Sequence, residues 1–162
     1  MEEKNSTFKK LLKVTTIISA LYGSAIALAQ TMQKLSHKLE QKNIGQKKKT
    51  YINFMNGRSF SLENEEIEDL SIYAFMGGVD LDLRKADLED VTHINIHSMM
   101  SGVVIKVPPM VNVCMDNNIT IMGGIANMVP KYTEEDLKTI VVHSTALMGG
   151  ISIKMIPEEE EN

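Results

Sequence analysis

The chain has 162 residues and a formal net charge of −4, enough for one domain of ordinary size and an appendage, which argues against a two-lobed enzyme with a cleft between domains. Hydrophobic residues make up 43% and charged residues 23%, excluding a disordered chain, while aromatics at 5% and the absence of Trp require an aliphatic core. The single cysteine, Cys114, excludes an internal disulfide and a cysteine-based zinc site, and is expected to be a small buried hydrophobe.

The net charge conceals a division. Residues 1–50 hold ten lysines and three glutamates, whereas residues 51–162 hold seven basic and eighteen acidic side chains. This places a basic segment near an anionic surface and an acidic, soluble unit beyond it. Nucleic acid is not expected as a partner, because the basic residues are not on the folded unit.

Residues 1–36 read as an N-terminal helix associated with a membrane. No charge falls between Lys13 and Lys34, and Val14 to Met32 has the length of one bilayer crossing, diluted by Thr15, Thr16, Ser19, Tyr22, Gly23, Ser24 and Gln30. Two other readings stand beside it. Leu11, Val14, Ile18, Leu21, Ala25, Leu28, Met32 and Leu35 follow the spacing of a coiled-coil seam, and the pairs Ala20/Ser24 and Gly23/Ala27 allow close self-association of helices. Alternatively, Ala27-Leu28-Ala29 has the form of a signal-peptide cleavage site, giving a secreted protein cut near Ala29. Six lysines after the segment against four before it favour a cytoplasmic C-terminal part at the cell membrane, whether single-pass or peripheral. Residues 37–50 read as a basic polar linker in which Lys47-Lys48-Lys49 meets anionic headgroups or solvent.

Residues 51–157 contain a repeat. A hydrophobic residue, Met, a small or turn-forming residue and Gly recur as Phe54-Met55-Asn56-Gly57, Phe75-Met76-Gly77-Gly78, Met99-Met100-Ser101-Gly102, Ile121-Met122-Gly123-Gly124 and Leu147-Met148-Gly149-Gly150. The last glycines are 21, 24, 22 and 26 residues apart, and eight of the ten glycines fall in the motif. After each motif the chain alternates, as in Val79-Asp80-Leu81-Asp82-Leu83 and Ile151-Ser152-Ile153-Lys154-Met155, the period of a strand with one buried face.

A unit this short cannot bury its own apolar face, so stacked units must share a core. The expectation is a mainly β chain: a β-solenoid or β-roll of about five Met-Gly-Gly repeats, preceded by one long N-terminal α-helix. The glycines Gly57, Gly77, Gly78, Gly102, Gly123, Gly124, Gly149 and Gly150 form the structural turn motif, accepting positive φ and close stacking, with Asn56 and Ser101 substituting for the first glycine in two copies. The motif methionines are expected to point inward as adaptable filler, the sharper alternative being a copper site. Pro108-Pro109, Pro130 and Pro157 punctuate strand ends. Arg58, the imperfect first repeat and the acidic tail, residues 158–162, are candidate caps for the solenoid ends.

The run from Phe75-Met76-Gly77-Gly78 through Leu83-Arg84-Lys85-Ala86, followed by Ser101-Gly102, Val107-Pro108 and Met122-Gly123-Gly124, resembles the C-terminal domain of the LiaF-like family, of the β-rich toastrack group. The resemblance covers about residues 51–157. It departs at Met-Gly-Gly, where the family has Phe-Gly-Gly, at Pro109-Met110 after Val107-Pro108, and in having at most one membrane crossing. It implies a bacterial response to cell-wall-active antibiotics, and a protein partner that is a sensor kinase or another membrane protein.

No catalytic, cofactor-binding or metal-binding residue is assigned. His93, Asn95 and His97, with His143 two repeats on, and the pair Asp80 and Asp82 read as solvated strand faces. The acidic runs 63–69 and 134–136 read as solvated connectors. The expected function is a non-enzymatic, membrane-tethered interaction module in the envelope stress response. The alternative is a self-assembling membrane scaffold of the bactofilin kind.

Overall fold

The computed structural model describes residues 2–134 and 136–156 and, within the first helix, the side chains of residues 13, 16 and 23 onward. The chain is mainly β: ten parallel strands in two sheets stacked as a β-roll, preceded by one helix. The elements are α1 Glu2–Asn43, β1 Lys48–Phe54, β2 Gly57–Ser61, β3 Glu66–Phe75, β4 Gly78–Asp82, β5 Asp87–Met99, β6 Gly102–Val107, β7 Asn112–Ile121, β8 Gly124–Asn127, β9 Thr139–Leu147 and β10 Gly150–Met155. Each odd strand, Met corner and following even strand make one coil. The odd strands form one sheet and the even strands the other.

The corners lie in register. Phe54 pairs with Phe75, Phe75 with Met99, Met99 with Leu147, and Leu147 with Ile121. Gly57, Gly78, Gly102, Gly150 and Gly124 are aligned in the same way across the second sheet. Alternation then sends Leu70, Ile72, Ile94, Ile96, Ile140 and Val142 inward from one sheet against Leu81, Leu83, Val103, Ile105, Ile151 and Ile153 from the other, all at most 3% exposed. Burying each such side chain contributes about 1.5–3 kcal/mol, and no single coil could do this alone.

The division of labour within the corner differs from the expected one. Positive φ falls on the methionines: 52° at Met55, 50° at Met76, 51° at Met100, 54° at Met122 and 52° at Met148. The bend therefore comes one residue early and swings these side chains out to solvent, so they do not fill the core. The first glycine of each pair serves close approach instead. A Cβ on Gly77 would sit 2.0 Å from Asn56 O, on Gly123 1.9 Å from Gly149 O, and on Gly149 2.1 Å from Ser101 O. Asn56 belongs to the first coil of the stack. Ser101 is buried, its Oγ donating to Ala74 O (3.0 Å) and lying 2.9 Å from Ser98 Oγ. The second glycines, Gly57, Gly78, Gly102 and Gly124, have nothing within 4 Å of a Cβ, and no contact explains them.

The coils do not stack in chain order. The sheets run β1-β3-β5-β9-β7 and β2-β4-β6-β10-β8, so the fifth coil lies between the third and the fourth. The residues account for the exchange: Ile140, Val142, Ile151 and Ile153 suit a coil covered on both sides, whereas Asn-rich β7 and the short β8 make the exposed terminal coil. Cys114 lies on β7 and is exposed rather than buried, because Val113 and Met115 on either side take the inward positions and alternation turns it outward.

At the other end α1 covers β1 and supplies partners for three of its edge backbone groups. Asn43 Nδ2 donates to Thr50 O (2.8 Å), Thr50 N–H donates to Asn43 Oδ1 (3.0 Å), and Ser36 Oγ donates to Ile52 O (2.7 Å). Arg58, on β2, joins this cap by donating to Glu40 Oε1 (2.5 Å) and Ser36 Oγ (2.8 Å). Residues 37–50 are thus not an open linker: they comprise the last turns of the helix, a short turn at Gly45 and the start of β1. Pro157 and the acidic tail lie outside the described residues.

Candidate functional site

Two features of the Met-corner end stand out, a ridge and a groove. The ridge consists of the corner methionines, with exposures of 54% at Met55, 40% at Met76, 46% at Met100, 41% at Met148 and 79% at Met122. Beside them runs the register row Phe54, Phe75, Met99, Leu147 and Ile121, with Phe54 and Phe75 stacked at 5.1 Å. No charged residue occurs in any of the five corner tetrapeptides.

The groove, about 450 Å³, lies on the outer face of the first sheet between this row and α1. Met32, Phe54, Phe75, Met99 and Leu147 supply its apolar walls, and Tyr73 stacks on His97 at 5.0 Å along its side. It forms because strand alternation that sends Ile72, Ala74, Ile96 and Ala146 inward must send the intervening residues outward. Their size and apolarity were not singled out from the sequence; the outward members of the alternation carried that signal.

The opposite end, where even strands turn back into odd ones, is ionic. Lys47 bridges Glu66 (3.1 Å) and Glu89 (2.5 Å), Lys48 meets Glu68 (3.4 Å) and Asp69 (2.9 Å), and Lys138 meets Asp87 (3.3 Å). Lys49, with a side chain 2% exposed, contacts Glu65 at 2.5 Å and donates to Asn43 O (3.1 Å). Hydrogen bonds that the Lys47 ammonium donates to Glu89 and Glu66 hold its pKa well above the ordinary range. The lysine run and the acidic run 63–69 are therefore spent on one another, and neither is a free solvated stretch.

Asp80 and Asp82 are likewise paired. Arg84 donates from Nε to Asp82 Oδ1 and Oδ2 (both 3.0 Å) and from Nη2 to Oδ2 (2.6 Å), holding that carboxyl below its usual range, while Lys106 lies 3.3 Å from Asp80. A carboxylate held this way is a poor proton carrier at neutral pH. His93 and His143 stack at 6.0 Å, and His143 Nδ1 lies 3.5 Å from Asp116. Asn95 pairs with His143 in register, but His97 stands apart on Tyr73. Among the described residues no three His, Cys, Asp or Glu side chains converge as a metal site.

From Asn43 at Thr50 to Met32 at Phe54, α1 runs antiparallel to β1 and then passes beyond the corners. There the side chains of residues 23–28, 30 and 31 are exposed. Among the described residues no helix is long and apolar enough to cross a membrane. The crossing expected at Val14–Met32 includes residues 14, 15 and 17–22, whose side chains lie outside the described ones. Comparison with known proteins finds no matching family model, no matching curated protein and no matching solved structure.

Proposed function

We propose that this chain is a non-enzymatic interaction module, held at the bacterial cell membrane by α1, that engages a membrane protein in the envelope stress response. The motifs similar to those of the LiaF-like family suggest a sensor kinase as that partner. The observation that carries the reading is the apolar groove beside α1: its walls come from a rigid sheet and from the one element that leaves the roll. A partner helix running alongside α1 fits a groove of this kind, by the helix-in-groove mode of recognition. Co-purification from detergent-solubilised membranes tests it. The unaltered chain should recover a sensor kinase and the Phe75→Glu variant should not. Recovery of no kinase, or equal recovery by the variant, would remove the reading.

A second reading, self-association, is supported by the open edge of β7 and β8, where Ile119 and Ile121 are 58% and 55% exposed. With α1 over β1, this edge supports pairing of like ends rather than a filament. Sedimentation of the full chain distinguishes a discrete dimer from polymers and from a monomer.

A further inference from the structure

A corner that had only to turn the chain would carry Gly, Asn or Asp at its positive-φ position, since other side chains crowd the backbone there. All five corners carry Met instead, at φ between 50° and 54°. The residue adds no hydrogen-bonding group, and each of the five side chains is at least 40% exposed. An unfavourable conformation is thus repeated to hold a long apolar side chain in solvent, which the fold itself does not need.

The row has a shape. Neighbouring coils are about 4.8 Å apart, so five corners make a ridge roughly 19 Å long. It carries no formal charge, whereas the far end of the roll is packed with ion pairs. The ridge also lies where α1 leaves the roll, and the projecting helix has no charged residue between Lys13 and Lys34, with Ile26 and Leu28 exposed by 49% and 51%. Flexible, unbranched thioethers fit a fluid apolar medium better than a pocket of fixed shape. Apolar rows continuous with an uncharged stretch of helix, and opposed to an ionic pole, define an orientation at an interface.

We propose that the five methionine corners are the lipid-facing edge of the roll, seated in the bilayer interface where α1 meets it, with the ionic loops turned to water. The proposal rests on the reading of α1 as a membrane tether and adds which surface of the β-roll touches lipid. It makes the roll a body of fixed orientation on the membrane rather than one swinging on a leash.

The test uses the full chain with Cys114→Ser and one environment-sensitive dye, placed at Asn56→Cys on the corner side or Lys85→Cys on the loop side. Both forms are mixed with vesicles of phosphatidylcholine and phosphatidylglycerol with brominated acyl chains. The chain should sediment with the vesicles, and the Asn56→Cys dye should shift to the blue and be quenched several-fold more than the Lys85→Cys dye. Replacing all five corner methionines by Asn, which accepts the same φ, should leave the roll folded by circular dichroism and the chain on the vesicles, but abolish that difference. A chain that sediments with both dyes equally in water overturns the ridge and leaves the tether standing. Quenching that survives the five replacements overturns it as well. A chain that stays in the supernatant removes the tether and the ridge together.

Discussion

The two ends of the roll turn the same strands by different means. At the Met corners the backbone does the work: positive φ on five methionines, interlocked glycines, and no charge. At the loop end the turns are held by ionised side chains, with Lys47, Lys48 and Lys49 gathering Glu65, Glu66, Glu68, Asp69 and Glu89 around the start of β1. The lesson is that a shared aliphatic core needs neither device in particular. The chemistry of each end is therefore free to serve what that end meets.

Substitutions can break this contrast in graded steps. The largest effect belongs to the interlocked corner: Gly77→Ala drives a methyl into Asn56 O and should lower stability by about 3 kcal/mol, whereas Gly78→Ala, with open space, should shift it by less than about 1 kcal/mol. Urea unfolding of the pair reads the difference directly. At the loop end, Lys49→Ala removes a buried ammonium from the half-exposed Glu65 and from Asn43 O, which keeps its bond from Gln46 N–H, and should lower the urea midpoint by the equivalent of about 1 kcal/mol. Lys85→Ala, whose pair with Glu63 is exposed, should change stability by about 0.5 kcal/mol or less.

Smaller effects sharpen the comparison. Met100→Asn relieves an αL methionine and should raise the thermal midpoint by the equivalent of about 0.5 kcal/mol, a gain in stability that trades against the apolar ridge. The helix cap responds to acid. Partial burial pushes the Glu40 carboxyl up, but the Arg58 and Ser36 hydrogen bonds and the Arg58 charge outweigh it, leaving Glu40 below its ordinary 4.5. A depressed carboxylate stabilises the fold above its unfolded pKa, and that contribution is lost as pH falls through the lower folded value. Chemical denaturation on an acid series should show this loss, and Arg58→Ala should flatten it.

Much of the architecture was legible because it is periodic. The spacing of the Met/Gly motif and the apolar residue at every second position, as in Val103, Ile105 and Val107, specify corners in register and a shared interior. What was hidden depends on neighbours that are distant in sequence. Glycine is the natural candidate for positive φ, and nothing local reveals that Met55 and Met76 take it while Gly77 is reserved for a carbonyl of another coil. Ser36 reads as the end of the N-terminal helix and Asn43 as a linker residue, because a side chain that replaces a missing strand looks like any hydrophilic one. Cys114 is different: Val113 and Met115 take the inward positions of β7, so alternation alone turns the thiol outward, a signal that is local in the sequence. In the site, the pairing of Asp82 with Arg84 could have been read from their adjacency, and the outward apolar residues of the sheet from alternation, but the groove also needs Met32 of α1 brought to the same place as Leu147 of β9.

The exchanged coil order has a kinetic corollary. A chain leaving the ribosome can lay β3/β4 on β1/β2 and β5/β6 on those, but β7/β8 then emerges with no docking partner, because its seat is built by β9/β10. Assembly of these two coils must wait for β9 and β10, so a chain truncated within the loop between β8 and β9 would stop at three coils and leave the fourth dangling.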